Sequence, residues 1–339
     1  MAILVTGGLG YIGSHTVVEL LNNDFEVVII DDLSNSEKFI LKNIEEITGK
    51  KPAFYPFDLK RRELLTQVFD AYTIEGCINF AAYKAVGESQ VKPVDYYENN
   101  LFLLINILQE FKSRNISNFI FSSSCTVYGQ ADVMPIDENT PLKLPESVYG
   151  KTKQMGEEIL IDFAKAYQRK ISLLRYFNPI GAHPTGKLGE LPIGIPNNLV
   201  PYVMQTAAGI REKLSIWGDD YPTVDGTAVR DYIYVVDLAK AHVAALKKLL
   251  ESPSEKTMID IYNLGTGKGS SVLEVVRAFE TANNVEVPYQ ICPRREGDIT
   301  IAYANVEKAE KELSWKSETT LEEALKTTWE WQKYLNSRI

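Results

Sequence analysis

The sequence has few of the residues that build disulfide frameworks and metal centres. Among its 339 residues there are three cysteines and three histidines. The cysteines are odd in number, widely separated and without a Cys-x-x-Cys pair: they are Cys77, Cys125 and Cys292. Neither a disulfide scaffold nor a zinc cage is therefore predicted. The histidines are equally scattered and no His-Glu-x-x-His motif occurs, so we expect no catalytic metal.

An excess of positive charge and a long apolar run are also missing. Lys and Arg total 36 against 45 Asp and Glu, which gives a formal net charge of -9 at pH 7. Such a chain has no general attraction for nucleic acid or anionic membranes, so any bound phosphate must be held by local donors. No apolar stretch approaches the roughly 18 residues of a membrane span, and the segment after Met1 lacks the features of a secretory signal. We expect a cytoplasmic protein.

Short β-branched runs alternate with amphipathic segments through the first half of the chain. This alternation is typical of a parallel sheet with crossover helices. Strands are predicted at 3–5, 25–30, 53–56, 76–80, 118–121, 171–175 and 233–235, and helices at 99–113, 149–169 and 237–250. The expected fold class is therefore α/β, a doubly wound parallel sheet of the Rossmann type with a smaller α/β substrate-binding domain.

The pattern weakens after Phe177. Five prolines and four glycines lie between 179 and 201, which predicts an ordered loop over a site. We therefore divide the chain into a dinucleotide-binding domain over 1–177 and a substrate-binding domain over 178–339. A later segment near 231–262 is expected to return to the first sheet.

A glycine-rich loop follows the first predicted strand and opens a helix. Gly8, Gly10 and Gly13 satisfy the Gly-x-Gly-x-x-Gly pattern in the context that a dinucleotide site requires. The missing side chains let backbone amides and a helix N-terminus approach a pyrophosphate. Asp31, 18 residues after Gly13, ends the second strand, where a carboxylate accepts ribose hydroxyls and repels a 2'-phosphate. The pattern favours NAD over NADP, and the negative charge of Asp32 adds to the repulsion of a 2'-phosphate.

A second glycine cluster spans 265–269 and carries a lysine. It has glycine where a phosphate-binding P-loop needs Ser or Thr after the lysine, and it lacks the upstream glycine. We therefore predict a strand-to-helix turn here. Ser271 and Glu274 then have the spacing of a capping box.

Tyr149 and Lys153 place a phenol and an ammonium four residues apart on one helix face. Ser124 lies 25 residues upstream of Tyr149, at the end of an apolar strand that delivers side chains to the cofactor crevice. A nearby ammonium and an oxidised nicotinamide both favour the phenolate, so we expect a lowered pKa for Tyr149 and a role as general base. Ser124 is placed to orient the same substrate hydroxyl.

With these features the sequence resembles the UDP-glucose 4-epimerase family of the extended short-chain dehydrogenase/reductase superfamily. The glycine loop and the Ser...Tyr-x-x-x-Lys arrangement carry the resemblance, together with segments at 80–89, 122–129, 174–179, 194–199 and 294–298. It extends over essentially the whole chain. Ala82 and Tyr83 replace the family's usual Gly-Leu, and Cys125 replaces a common Ala.

The resemblance implies a set of site residues. For NAD they are Gly7, Gly10, Tyr11, Ile12, Gly13, Asp31, Asn35, Ser36, Asp58, Leu59, Phe80, Ala81, Lys84, Asn99, Ser124, Tyr149, Lys153 and Phe177. For the UDP-sugar they are Lys84, Ser124, Tyr149, Asn178, Asn198, Leu199, Ile216, Trp217, Arg230, Arg295, Asp298 and Ala302. The arginines suit a pyrophosphate. The resemblance also implies a homodimer through the helices at 99–113 and 149–169, although their apolar faces could equally be buried within one chain.

The implied reaction interconverts UDP-glucose and UDP-galactose with a tightly held NAD. Tyr149 takes the proton of the sugar 4-hydroxyl as hydride leaves C4, and the 4-keto sugar turns over before it is reduced on its other face. In the family, the position four residues after Asp298 lies beside the sugar 2-substituent. Here it is Ala302, which predicts that the UDP-N-acetylhexosamines are also interconverted, whereas a one-residue slip would place Tyr303 there.

Three alternatives stay open at this stage. A nucleotide-sugar 4,6-dehydratase would need an acidic pair just after Ser124, where the chain has Cys125 and Thr126. A UDP-uronate epimerase would need an extra cation or hydroxyl group near sugar C6, which the sequence does not locate. A noncatalytic dinucleotide sensor has no need of the intact Ser124, Tyr149 and Lys153.

Overall fold

The computed structural model describes residues 1–253, 256–295 and 298–338. Three sequence predictions include residues outside these ranges. Ser254 and Glu255 belong to the segment expected to return to the sheet, Glu296 and Gly297 to the run at 294–298 that carries part of the family resemblance, and Ile339 to the end of the second predicted domain.

The described ranges contain fourteen strands and eleven α-helices. The strands are β1 (Ala2–Thr6), β2 (Glu26–Ile30), β3 (Ala53–Tyr55), β4 (Ile74–Asn79), β5 (Asn118–Ser124), β6 (Lys170–Tyr176), β7 (Asn178–Ile180), β8 (Leu214–Trp217), β9 (Val229–Arg230), β10 (Tyr232–Tyr234), β11 (Met258–Leu264), β12 (Ser270–Ser271), β13 (Tyr289–Cys292) and β14 (Ile301–Ala302). The helices are α1 (Tyr11–Asn22), α2 (Phe39–Thr48), α3 (Arg62–Ala71), α4 (Val86–Val91), α5 (Pro93–Arg114), α6 (Val148–Tyr167), α7 (Leu199–Ala207), α8 (Val235–Glu251), α9 (Val272–Asn283), α10 (Glu307–Leu313) and α11 (Leu321–Asn336).

A central parallel sheet organises the first half of the chain. In the described part of the chain its seven strands have the order β11-β6-β5-β4-β1-β2-β3. All of its neighbouring strands pair in parallel. The predicted doubly wound α/β class is confirmed, because the strand order reverses direction from β1, with β2 on one side and β4 on the other.

Helices cover both faces of this sheet, and the strand residues alternate between them. Ile3 and Val5 of β1 belong to the hydrophobic core formed with α1, α2 and α8, whereas Ala2 and Leu4 belong to the core formed with α3, α5 and α6. Strands that are buried on both sides read as continuous apolar runs, which explains why the sequence showed them clearly.

The later part of the chain is built from smaller units. Strands β8 and β13 pair in parallel, and β9 lies between β12 and β14. A third hydrophobic core joins α7, α9 and α11 to β8 and β10. Two later elements nevertheless pack on the first sheet: β11 is its edge strand beside β6, and α8 covers α1. The division at residue 177 stays a prediction.

Several local predictions are confirmed. The cluster at 265–269 follows β11 and leads into β12 and α9, as expected for a strand-to-helix turn. Ser271 and Glu274 form the predicted capping box. The proline-rich segment at 179–201 differs in part, because it begins inside β7 and ends in α7. Across the described ranges, the helices fall short of the combined length and apolar character required to cross a membrane.

Two buried histidines predict how stability depends on pH. His15 and His242 are 1% and 0% exposed, and burial lowers the pKa of each from 6.5 to about 4. Because the folded pKa is lower, the unfolded chain binds more protons between these values. The stability that depends on neutral histidine is therefore complete above pH 6.5 and is lost as the pH falls toward 4.

We expect His242→Gln to reduce the loss of unfolding free energy as the pH falls from 6.5 toward 4, because one of the two titrations is removed. Urea unfolding at a series of pH values measures it. His183→Gln is the control, since His183 is partly exposed and its pKa is lowered less. Equal slopes for the His242 variant and the original protein would contradict the prediction.

Candidate active site

The glycine loop joins β1 to α1 and has little space for side chains. Gly7 has a φ of 67°, in the left-handed region that favours glycine. A Cβ on Gly13 would lie 2.2 Å from the Gly7 carbonyl oxygen, so the loop closes tightly against the helix. No side chain caps the N-terminus of α1 at Gly10, and no acidic residue lies in its first turn. The helix end is therefore available to an anion.

Asp31 fixes this loop to the segment after β2. One carboxylate oxygen accepts the Leu9 amide at 2.9 Å; the other accepts the Leu33 amide at 3.0 Å and the Ser36 hydroxyl at 2.7 Å. Of the roughly four lone-pair sites on a carboxylate, three are thus used within the chain. Asp31 therefore orders the loop and keeps acceptor capacity for a ribose hydroxyl.

Most of the other residues predicted to contact NAD lie where parallel strands end. Asp58 and Leu59 follow β3, Phe80 and Ala81 follow β4, and Phe177 follows β6. These are the carboxyl ends of the strands, the edge at which doubly wound sheets bind ligands. Asn35 is exposed beside Ser36, and Asn99 is buried on α5. These assignments to NAD stay predictions.

The three predicted catalytic residues converge at the end of β5. Lys153 is 3% exposed, and its Nζ donates to the Ser122 carbonyl oxygen at 2.5 Å. The same Nζ lies 5.8 Å from the centre of the Tyr149 ring. The Ser124 hydroxyl accepts from the Thr126 amide at 3.2 Å and from the Thr126 hydroxyl at 3.0 Å. Its own proton stays available for donation to a substrate oxygen.

The electrostatics of this group differ from the expectation. Burial raises the pKa of Tyr149 to about 12, although the nearby Ser124 hydroxyl acts in the opposite direction. Burial also lowers the pKa of Lys153 to about 7, against the effect of Glu157. The predicted lowering of the Tyr149 pKa is therefore not met in the chain alone, because burial of the phenol has the largest effect on it.

Arg230 and Ala302 form one wall near the catalytic group. They are in register on the paired strands β9 and β14. Ala302 is 7% exposed and packs in a small hydrophobic core with Phe177 and Val127, against which Cys125 also packs. Since Cys125 follows Ser124 directly, this wall adjoins the serine that was predicted to orient the substrate.

A second predicted group lies on the strand pair β8 and β13 and the segment after it. Ile216 is buried in β8, whereas Trp217 is 41% exposed at its end. The Arg295 guanidinium lies 5.8 Å from the Trp217 ring centre, and its Nε donates to Asp298 at 3.1 Å. The structure thus brings Trp217, Arg295 and Asp298 together.

Two of the remaining predicted substrate residues, Lys84 and Asn198, bind Glu190, which sequence analysis missed. Its carboxylate accepts from Lys84 at 3.1 Å and from the Asn198 side chain at 2.7 Å. Asn198 is the N-cap residue of α7, and Leu199 begins that helix. Asn178 begins β7, and its amide donates to the Asp231 carbonyl at 2.9 Å. Glu190 lies in the proline-rich loop, where no periodic pattern marked it.

Sequence analysis also missed a buried ion pair behind the catalytic group. Glu157 of α6 and Arg175 of β6 are 2% and 3% exposed and form two hydrogen bonds with each other. The signal was present, since Glu157 follows Lys153 at the same four-residue spacing that separates Lys153 from Tyr149.

Comparison with known proteins places this chain. It is 52% identical to the UDP-glucose 4-epimerase of Bacillus subtilis, over 98% of this chain and 97% of that protein. The chain belongs to the UDP-glucose 4-epimerase family. A crystal structure of the family's Bifidobacterium longum member, in complex with NAD+ and UDP, superposes with a TM-score of 0.95 at 46% identity and full coverage of both chains.

A broader family model, GDP-mannose 4,6 dehydratase, matches residues 4–328. Another UDP-glucose 4-epimerase family structure, described as the UDP-Glc/GlcNAc 4-epimerase from Campylobacter jejuni, has a TM-score of 0.84 at 34% identity and covers 98% of this chain and 99% of that one. The site itself does not favour dehydration, because Cys125 and Thr126 stand where the acid pair would be needed.

Proposed function

We propose that the chain interconverts UDP-glucose and UDP-galactose through transient oxidation at sugar C4. The observation that carries the proposal is the convergence of Ser124, Tyr149 and Lys153 at the carboxyl end of β5, on the same edge of the parallel sheet as the glycine loop. Relatives of about half identity, named UDP-glucose 4-epimerase, support the same conclusion.

The residues of the crevice suit NAD as a tightly held cofactor. The uncapped α1 end would receive its pyrophosphate, and Asp31 its adenosine ribose. The carboxylates of Asp31 and Asp32 would repel the 2'-phosphate of NADP. When bound, oxidised NAD supplies a hydride acceptor and a positive charge close to the phenol.

Tyr149 takes the proton of the sugar 4-hydroxyl and returns it after the 4-keto sugar has presented its other face. Ser124 donates its free proton to the 4-oxygen and fixes its position. Lys153 holds the nicotinamide ribose and offsets the charge of the phenolate. Because burial raises the Tyr149 pKa, deprotonation depends on the positive charges gathered around the phenol when the site is loaded.

The UDP moiety is held by the groups on the smaller strands. Arg230 and Arg295 offer planar donors to the pyrophosphate, and Asn178 and Asn198 offer amides. Trp217 is exposed enough to support the uracil ring. Lys84 would exchange its bond to Glu190 for a ligand oxygen.

We further propose that the acetylated pair, UDP-N-acetylglucosamine and UDP-N-acetylgalactosamine, is accepted. Ala302 has the small side chain on the wall that adjoins Cys125 and Phe177. Tyr303 lies instead beside Gly269, because a Cβ added to Gly269 would be 3.5 Å from the Tyr303 ring. This placement supports the ungapped count from Asp298. The Campylobacter jejuni relative is described as acting on both types of sugar.

The expected assembly and location extend the proposal. Val94, Phe102 and Ile105 of α5 are 71%, 48% and 39% exposed on one helix face, which suits a homodimer through α5 and α6. The buried face of the same helix packs within the chain. The three free cysteines suit the reducing cytoplasm. The proposed boundary between the NAD and UDP-sugar domains stays at residue 177.

The deciding experiment is performed on the purified protein. Mass spectrometry of the small molecules released on denaturation should show NAD, and NMR should show inversion at C4 of UDP-glucose, UDP-galactose and their acetylated counterparts. Turnover of UDP-glucuronate tests the uronate epimerase alternative. Formation of a 4-keto-6-deoxy product tests the dehydratase alternative. A chain that binds NAD without converting any sugar nucleotide would favour a dinucleotide sensor.

A further inference from the structure

The buried pair of Glu157 and Arg175 lies directly behind the catalytic group. Glu157 accepts from Arg175 Nε at 2.9 Å and from Arg175 Nη2 at 2.6 Å. The Ser123 hydroxyl donates to the same carboxylate at 2.5 Å. Ser123 and Arg175 are in register on β5 and β6. The pair, together with Ser123, thus connects α6 to β5 and β6.

Among the residues that the structure describes, Lys153 donates one hydrogen bond, and its acceptor is an uncharged backbone carbonyl. A buried ammonium is costly without a compensating negative charge. Glu157 follows it by four residues on the same helix face, where side chains are neighbours. The two bonds from Arg175 fix the position of the carboxylate.

We propose that Glu157 is a positioning residue whose carboxylate, held by Arg175 and Ser123, keeps Lys153 an ammonium beside Tyr149. The inference rests on the proposed function, in which the ammonium stabilises the Tyr149 phenolate. It assigns a role to three buried residues that belong to neither the predicted NAD set nor the predicted UDP-sugar set.

The surrounding groups are consistent with this assignment. Among the described residues, Glu157 is the carboxylate that acts on Lys153, and it raises the lysine's pKa against the effect of burial. The other titratable or charged side chains that face Lys153, Tyr149 or the ion pair are Tyr176 of β6, Tyr96 of α5, Cys125 after β5, and Tyr128 and Glu138 beyond Arg175.

The test removes both charges together, because Glu157→Gln alone would leave a buried, unpaired arginine. In Glu157→Gln/Arg175→Gln, Lys153 loses its counter-charge, so a smaller fraction of it is an ammonium near neutral pH and the Tyr149 phenolate is stabilised less. We expect the midpoint of Tyr149 ionisation to rise by about one pH unit. We also expect kcat to fall about tenfold with little change in KM, since the lost interaction supports the proton transfer.

The direction of the shift is decisive. If Glu157 acted on Tyr149 directly, removing its negative charge would lower the midpoint rather than raise it. The ultraviolet difference titration of each NAD-loaded protein against its own Tyr149→Phe version isolates this single phenol. The titration reports on the inference whether or not the protein epimerises sugars, so failure of the proposed function is seen separately.

Glu110→Gln/Arg114→Gln is the matched control. It removes another buried carboxylate bonded by an arginine, at 3.1 Å on α5, and should leave the Tyr149 midpoint unchanged. Glu157→Asp keeps a carboxylate at this position, so the Tyr149 midpoint should stay at the value of the original protein. If the double variant does not fold, Glu157→Gln/Arg175→Met replaces it. A folded variant with an unchanged or lowered midpoint would overturn the proposal.

Discussion

Tyr149→Phe is expected to lower kcat for UDP-galactose about a thousandfold while leaving the protein folded and loaded with NAD. A positioned general base contributes roughly 10² to 10⁴ in rate, and phenylalanine keeps the ring but removes the proton-accepting oxygen. The Tyr149 ring is partly buried on α6, so the substitution costs little packing. Coupled-assay kinetics and the NAD content of the purified variant measure both quantities.

Tyr176→Phe serves as the comparison. Tyr176 is a buried phenol on β6, the strand beside β5, and its hydroxyl forms a hydrogen bond with Ser122. Its loss should affect stability more than rate. A Tyr149→Phe protein with unchanged turnover would remove Tyr149 from the proposed mechanism. Loss of NAD together with activity would instead indicate a structural role in cofactor binding.

The central sheet was predictable because its strands are buried on both faces. Most of them contain a short apolar run that marks them in the sequence, and the glycine loop and Asp31 follow two of them. The edge strand β11 was not predicted as a strand, because Asp260 and Asn263 interrupt its apolar residues. The short strands β8, β9 and β12–β14 were not predicted. They are only two to four residues long, and several of their residues are partly or fully exposed. Their pairing depends on contacts between distant segments, which local patterns do not contain.

The site shows the same division. Ser124, Tyr149 and Lys153 follow from spacing and strand ends, whereas Glu190 joins Lys84 to Asn198 across 106 and 8 residues of sequence. In the chain alone, burial raises the pKa of Tyr149, whereas the predicted lowering also counted the positive charge of an oxidised nicotinamide. Sequence analysis counted the attraction of Lys153 but had no measure of how deeply both groups are buried.

Ala302→Tyr is expected to lower turnover of the acetylated sugar nucleotides at least about a hundredfold, and that of UDP-glucose and UDP-galactose by less than about threefold. The phenol would extend from a buried position on β14 into the space that the N-acetyl group needs, and such a clash discriminates between ligands more strongly than a lost contact does. A hundredfold loss corresponds to about 2.7 kcal/mol of transition-state binding. Parallel kinetics with both pairs of sugars give the ratio.

Tyr303→Ala tests the register on which this prediction depends. Successive residues of a strand point to opposite faces, and Tyr303 packs beside Gly269 rather than with Ala302. Its replacement should leave the ratio of acetylated to unacetylated turnover unchanged, although the protein loses packing there. If the Tyr303 variant changes the ratio and the Ala302 variant does not, the sugar pocket is bounded by the next residue along the strand. Absence of acetylated turnover in the unmodified protein would show that a small side chain at 302 is insufficient to admit the larger sugar.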